Sequence, residues 1–456
     1  MTTYISHNPF TETTRAAYPV LSSYALINQL DLTHAAQQQW SGWSFSKRAE
    51  AVLKLAQLIH DNAPQLAELA VAEMGKTYKE ALAEVNKCTT ACRYYAEHSE
   101  RILAPSNHFS DTGKHVTISY EPMGIVLGIF PWNFPYWQVI RSAIPVLMSG
   151  NGMLVKPAPN VPECALKLQE LFNEAGFPKH IISTVFISEA QVAGLIIDNR
   201  IKACTLTGSD KAGAAVATQA ASQIKKTVLE LGGSDPFIVL EDADLNEALN
   251  TAITARFQNN GQSCIASKRF ILHRNIASVF LNRLAEKINT LVLGDPSKAE
   301  THIGPIARAD LRDKLSKQVN DSIAAGARIF YRHPNTPDTG YFYAPTILTH
   351  IPVHCPAYFE ELFGPVISAF EVEDDEQAIR LANDSLYGLG ASVWSTNRNR
   401  ALAIAQKLEC GQVFINGLVK SHTAFPFGGV KYSGIGRELG EWGLKEFCQV
   451  KTIWQP

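Results

Sequence analysis

Nowhere in this 456-residue chain do apolar residues run long enough to cross a bilayer. The longest stretch is "MGIVLGIF", residues 123–130, against the roughly 20 residues that a spanning helix needs. An excess of charge of one sign is also missing: 41 Lys and Arg against 43 Asp and Glu leave a formal net charge of -2, so no global field draws nucleic acid or an anionic membrane surface. The 8 cysteines form no CxxC pair and keep no regular spacing, which excludes a disulfide framework and points to reduced thiols. The opening "MTTYISHNPFTETTR" has no charged segment leading into an apolar one, so secretion is not expected. There is no internal repeat and no low-complexity linker. What remains is a soluble, cytoplasmic, globular protein, 46% hydrophobic and 18% charged, long enough for two or three domains.

From Lys47 to Leu103 the pattern is helical, with Val52, Leu55 and Ile59 on one face and breaks at Asn62-Ala63-Pro64 and Gly75. Cys88 and Cys92 are four apart on such a helix and read as small buried residues, because metal ligation needs further ligands nearby. "HVTISYEPMGIVLGIF" turns to β-branched and alternating character and reads as strands. Short β-like runs then alternate with helices as far as about Leu240, and a second such segment starts near Asp242. This predicts an α/β fold with parallel sheets wrapped by helices. The tail "EFCQVKTIWQP" is β-like. It either pairs within the chain or adds to a neighbouring subunit.

Sheets of this kind bind ligands at the carboxyl ends of their strands, and four loops at such positions carry unusual residues. In "FPWNFP" Asn133 is a turn residue or an amide aimed at a developing oxyanion. In "KPAP" Lys156 is solvated surface or a donor to ribose or phosphate. "LTGSDKAG" supplies a Gly208-Ser209 turn and a helix start whose free N–H groups suit a pyrophosphate, although it is not GxGxxG. In "LELGGSDP" Glu230 lies between two leucines, where burial lifts a carboxyl pKa toward that of a useful base; a salt-bridged glutamate is the plainer alternative. Finally "FQNNGQSCIA" sets Cys264 after Asn259, Asn260, Gly261, Gln262 and Ser263, unlike the aliphatic setting of a structural cysteine. A soft nucleophile, a base, an amide donor and a dinucleotide-compatible turn together describe covalent oxidation of a carbonyl.

"PWNFP", "LVKPAP", "LTGS", "LELGGSDP", "NNGQSCIA", "EELFGPV" and "FPFGGVKYSGIGRELG" stand in the order and spacing of the aldehyde dehydrogenase superfamily, which the chain resembles over nearly its whole length. The resemblance implies a Rossmann-like cofactor domain (1–106 and 123–232), a catalytic α/β domain (233–435) and a small β oligomerisation extension (107–122 and 436–456). The tail resembles the strand that joins a partner's sheet, implying a homodimer or homotetramer. Cys264 resembles the nucleophile, Asn133 the oxyanion donor together with the Cys264 backbone N–H, and Glu230 the base that activates water against a thioester. Lys156 resembles the adenosine-ribose ligand, Ser209 the pyrophosphate contact, Glu361 the nicotinamide-ribose ligand and Phe363 the residue against the ring. Trp132, Pro159, Gly208, Leu231 and Gly232 complete the implied cofactor site, with no metal.

Where NAD-preferring members commonly show "KPAE", this chain has Pro159. That removes a carboxylate whose repulsion of a 2′-phosphate is worth on the order of 1–4 kcal/mol, so NADP is expected to be accepted, with NAD second. Leu206, often Phe in the family, carries no inference. Ala266 rules out the second cysteine with which some relatives form a redox disulfide. "WQVIR", "KPAPN" and "NGLVKS" are most similar to the shorter bacterial succinate-semialdehyde dehydrogenases. That likeness implies a small-molecule semialdehyde substrate whose carboxylate is held by Arg141, with Ser421 and Lys420 assisting; a second arginine known from some relatives is Gln258 here. The competing readings are another small aldehyde (glutaric semialdehyde or a neutral aliphatic one), a CoA-acylating enzyme, which would not need Glu230, a non-catalytic relative, and a cysteine hydrolase, for which only His422 lies in a motif loop.

Overall fold

The helical periodicity after Lys47 resolves into three helices, Phe45–Asp61, Ala63–Met74 and α1, Tyr78–Ile102, in a computed structural model that describes residues 3–455. Thr77 caps α1 by accepting the Glu80 N–H, and Glu80 and Arg101 place matching charges at its two ends. Cys88 and Cys92 are buried in the core cluster this helix shares with its neighbours. Among the described residues no helix is long and apolar enough to cross a membrane.

The first sheet holds β1 (Ile125–Ile129), β2 (Gly152–Lys156), β3 (Ile182–Thr184), β4 (Ile201–Thr207) and β5 (Lys226–Glu230). Their spatial order is β5-β4-β1-β2-β3, all parallel, with the two-residue strand Gly434–Ile435 antiparallel on the outer edge of β5. The chain moves outward from β1 to β3 and then returns to the other side, so the strand order reverses between β1 and β4. That is the switch point where α/β sheets take their ligands. Two helices start beside it: α2 (Trp137–Met148) and α3 (Asp210–Ser222). Ser209 caps α3 through the Ala212 N–H. No side chain of its own caps α2; Glu84 of α1 takes that place, its Oε1 accepting the N–H groups of Tyr136 and Trp137 at 2.9 Å each.

The second sheet has seven strands, built around Asp235–Val239 and Ser267–His273. Only the edge strand Arg328–Arg332 runs antiparallel. Phe237 stacks between Phe270 and Trp394 at centroid distances of 4.9 and 5.5 Å in its core. Because β5 ends at Glu230 and the next strand begins at Asp235, the carboxyl edge of the first sheet meets the amino edge of the second across a few residues. Cys264 sits at the amino end of its strand, between helix Leu245–Phe257 and strand Ser267–His273.

The tail is a strand, Cys448–Gln455, and it pairs inside its own chain, antiparallel to His115–Pro122, whose other edge holds Ser106–Phe109. The strand expected for a partner's sheet thus has one edge satisfied internally. Helix Gly440–Glu446 packs on α1 and α2, and Leu439 and Leu444 are fully buried in the main core.

Lys76 and Glu84 form an ion pair of 2.6 Å, almost wholly removed from water. Lys76→Met leaves the Glu84 carboxylate buried without its counter-charge, and a loss of about 3–5 kcal/mol of stability is expected. Urea unfolding of the two proteins measures it, with Lys76→Met/Glu84→Gln recovering part of the loss.

Candidate active site

The run "NNGQSC" folds as a loop whose amides satisfy one another. Asn259 and Asn260 both adopt left-handed backbone (φ 57° and 58°), a region that asparagine tolerates better than most residues. Asn259 Nδ2 donates to the carbonyls of Asn133 and Gln262, and its own N–H is accepted by Glu80 Oε1 at 2.7 Å. Asn260 Nδ2 bridges the carbonyls of Gly75 and Pro305, and Gln262 Oε1 accepts the Ala307 N–H. Lys268 donates to the carbonyls of Ser263 and Cys264, at 2.7 Å each. Gly233 is required alongside: a Cβ there would stand 2.5 Å from the Cys264 carbonyl oxygen.

A cavity of about 370 Å³ opens where the two sheets meet. Cys264 and Asn133 reach it from the loops, Ser209 from the start of α3, and Glu361 and Phe363 from the opposite wall. Asn133 is oriented by a residue the sequence did not flag: Gln138 Nε2 donates to its Oδ1 at 2.9 Å, while one Nδ2 hydrogen goes to the Gln262 carbonyl at 3.0 Å. Its second amide hydrogen is left over. The cavity suits a dinucleotide by its own shape. Gly208, Ser209 and Asp210 line it at the start of α3, Trp132 and Phe363 meet edge to face at 5.8 Å, and Gly232 clears a cradle in which a Cβ would lie 2.7 Å from Glu361 Oε2. Glu361 is held at 3.0 Å by both the Gly233 N–H and Lys268 Nζ. Leu231 also lines the cavity, whereas Lys156 and Pro159 do not. They follow the carboxyl end of β2, where Lys156 Nζ stands 5.6 Å from the Tyr4 ring centroid and burial lowers its pKa.

Glu230 is 2% exposed and neither carboxylate oxygen has a hydrogen-bond partner. Burial pushes it up to about 8, Arg141 pulls it down, and Glu438 raises it. Glu438 is raised by burial as well. Cys264 is partly accessible, yet burial of its sulfur lifts the thiol to about 12, with Lys268 opposing and Glu230 adding to the rise. That rise favours the thiol over the thiolate.

The arginine expected to be free for a substrate carboxylate is already engaged. Arg141 Nε lies 2.5 Å from Glu438 Oε2, with both side chains 4% exposed, and Nη2 donates to Thr207 Oγ1 at 3.2 Å. Lys420 is exposed. Ser421 is buried and accepts a 2.6 Å hydrogen bond from Lys87 Nζ. Lys87 was not anticipated, although Glu80, Glu84 and Lys87 fall on one helix face at i, i+4 and i+7. Glu438 and Lys268 were missed for want of any local signal.

A covalent-oxidation geometry at the switch point of a Rossmann-like sheet, joined edge to edge with a second α/β sheet, defines the class. Residues 2–453 match the aldehyde dehydrogenase family, and the chain belongs to it. It is 46% identical to a probable succinate-semialdehyde dehydrogenase [NADP(+)] of Synechocystis sp., covering 98% of each chain. It is 42% identical to a succinate semialdehyde dehydrogenase [NAD(P)+] of Escherichia coli, covering 99% of this chain and 97% of that one. Among solved structures it superposes on the succinic semialdehyde dehydrogenase of Streptococcus pyogenes in complex with NADP+ with a TM-score of 0.97, at 34% identity, covering 99% of this chain and all of the other.

A thiol with its pKa near 12 ionises about tenfold more for each pH unit below that value. Iodoacetamide labelling of Cys264 in the cofactor-free protein, followed by peptide mass spectrometry, should keep accelerating through pH 10. A plateau near pH 7 would mean that the thiolate is formed at rest.

Proposed function

We propose that this aldehyde dehydrogenase oxidises a small semialdehyde acid, succinic semialdehyde first, to the diacid, accepting NADP readily and NAD second. The observation that carries the reading is the meeting of Cys264 and Asn133 at one cavity whose other walls suit a dinucleotide. Cys264 Sγ attacks the aldehyde carbon, its proton passes to a water of the cavity, and the carbonyl π electrons move onto the oxygen. The new oxyanion takes the spare Asn133 amide hydrogen and the Cys264 backbone N–H. A bound nicotinamide supplies the hydride acceptor. Glu230 then takes a proton from the water that hydrolyses the Cys264 thioester. Ser209, with Gly208, receives the pyrophosphate, Glu361 and Phe363 the nicotinamide end, and Lys156 the adenosine ribose.

The names of the relatives support an acid substrate, and Pro159, which has no carboxylate to repel a 2′-phosphate, supports NADP. Ser421 offers a buried hydroxyl to the acid group. The same reading makes the enzyme a cytoplasmic homo-oligomer. The homo-oligomer is supported by exposed Val450, Ile453 and Trp454 on the terminal strand, since an apolar strand at a sheet edge calls for cover.

Initial rates of nicotinamide reduction with succinic semialdehyde and with butanal, each with NADP and with NAD, test the substrate. The acid should win by about a hundredfold in kcat/KM, equivalent to about 2.7 kcal/mol; equal rates would assign a neutral aldehyde instead. Glu230 works as a base only when unprotonated, so turnover limited by thioester hydrolysis should climb as pH rises through about 8. Glu230→Gln should lose that climb and give a burst of about one reduced nicotinamide per site, followed by slow turnover.

A further inference from the structure

We propose that Lys87 is the cation that binds the substrate carboxylate, with Ser421 as its hydroxyl partner. The inference rests on the acid-substrate reading above and names the group that recognises the acid.

Three elements converge here: Lys87 from α1, Trp137 from the first turn of α2, and Ser421 from the loop after strand Gln412–Ile415. Lys87 Nζ donates to Ser421 Oγ at 2.6 Å and stands 4.3 Å from the Trp137 ring centroid. No carboxylate among the described residues pairs with it, whereas Arg141 is neutralised by Glu438. A half-buried ammonium resting on an aromatic face and one hydroxyl keeps two N–H donors and a net charge without an answering anion. Ser421, by accepting from Lys87, keeps its own hydroxyl proton to donate. An ammonium and a hydroxyl side by side make a receptor for a carboxylate. None of the three side chains lines the dinucleotide cavity, so an anion bound there leaves the cofactor's place clear.

The groups acting on Lys87 come from all sides. Burial and Arg141 of α2 lower its pKa to about 8, while Cys88 and Glu84 of its own helix and Cys264 of the catalytic loop raise it. Trp137, on whose ring Lys87 rests, begins the helix directly after the loop that carries Asn133, which ties the cation to the wall of the proposed site. Its charge is present below about pH 8 and lost above.

The test is kcat/KM for succinic semialdehyde and for butanal, from about pH 6.5 to 9.5, in the wild type, Lys87→Met, Lys87→Arg and Ser421→Ala. Lys87→Met should lower the ratio of acid to neutral kcat/KM by about 30-fold or more, mainly through the KM for the acid. Lys87→Arg should restore most of the ratio, and Ser421→Ala should lower it in the same direction. In the wild type the KM for the acid should rise above about pH 8 and that for butanal should not; the difference should vanish in Lys87→Met. A wild type that prefers the acid, together with a Lys87→Met variant that keeps the preference or loses both activities equally, overturns the Lys87 assignment alone. A wild type indifferent to the acid group overturns the substrate reading and this assignment with it.

Discussion

Glu84 is a carboxylate taken out of water and held by three donors: Lys76 Nζ and the two N–H groups at the start of α2. Those N–H groups belong to Tyr136 and Trp137, directly after the loop that carries Asn133, so the position of Asn133 is tied to a charge on α1. One turn earlier, Glu80 of the same helix grips the backbone of Asn259 in the nucleophile loop. A buried carboxylate is costly unless fully satisfied, and that cost keeps both loops in place. The catalytic geometry is thus set by a helix that contributes no atom to the proposed chemical steps.

The electrostatics around the thiol follow from the same economy of burial. Glu230, Glu438 and Arg141 are all nearly inaccessible to water. Burial raises both carboxyls, Arg141 lowers both, and Arg437 also lowers Glu230, a balance that suits the base proposed for the second half of the reaction. Lys268 performs a different service. It fixes the carbonyls on either side of the nucleophile and the carboxylate of Glu361 at once, coupling the reacting loop to the opposite wall of the cavity.

The parts of this site that the sequence disclosed are those carried by short contiguous stretches. Cys264 stands out by its amide-rich neighbours, Asn133 by its prolines, Glu230 by its flanking leucines, and the helices by their periodicity. What stayed hidden depends on distant pairing. Arg141 reads as a free cation on an apolar helix because nothing near it in sequence announces Glu438, which arrives from the far end of the chain. Lys87 reads as one of many lysines on an amphipathic helix until the fold brings Trp137 and Ser421 to it. The terminal strand could pair in two ways by composition alone, and its register against His115–Pro122 exists only in three dimensions.

The meeting of the two sheets also sets an order of events during synthesis. Leu229 and Glu230 are paired on their outer edge by Gly434 and Ile435, and Glu438 follows within a few residues. Cys264 and Glu230 leave the ribosome before the segment that closes over them and sets their charge balance. While the residues after Cys264 are still being added, its thiol lacks the burial that raises its pKa in the finished fold. The site is complete only when the stretch from Gly434 to Glu438 has docked.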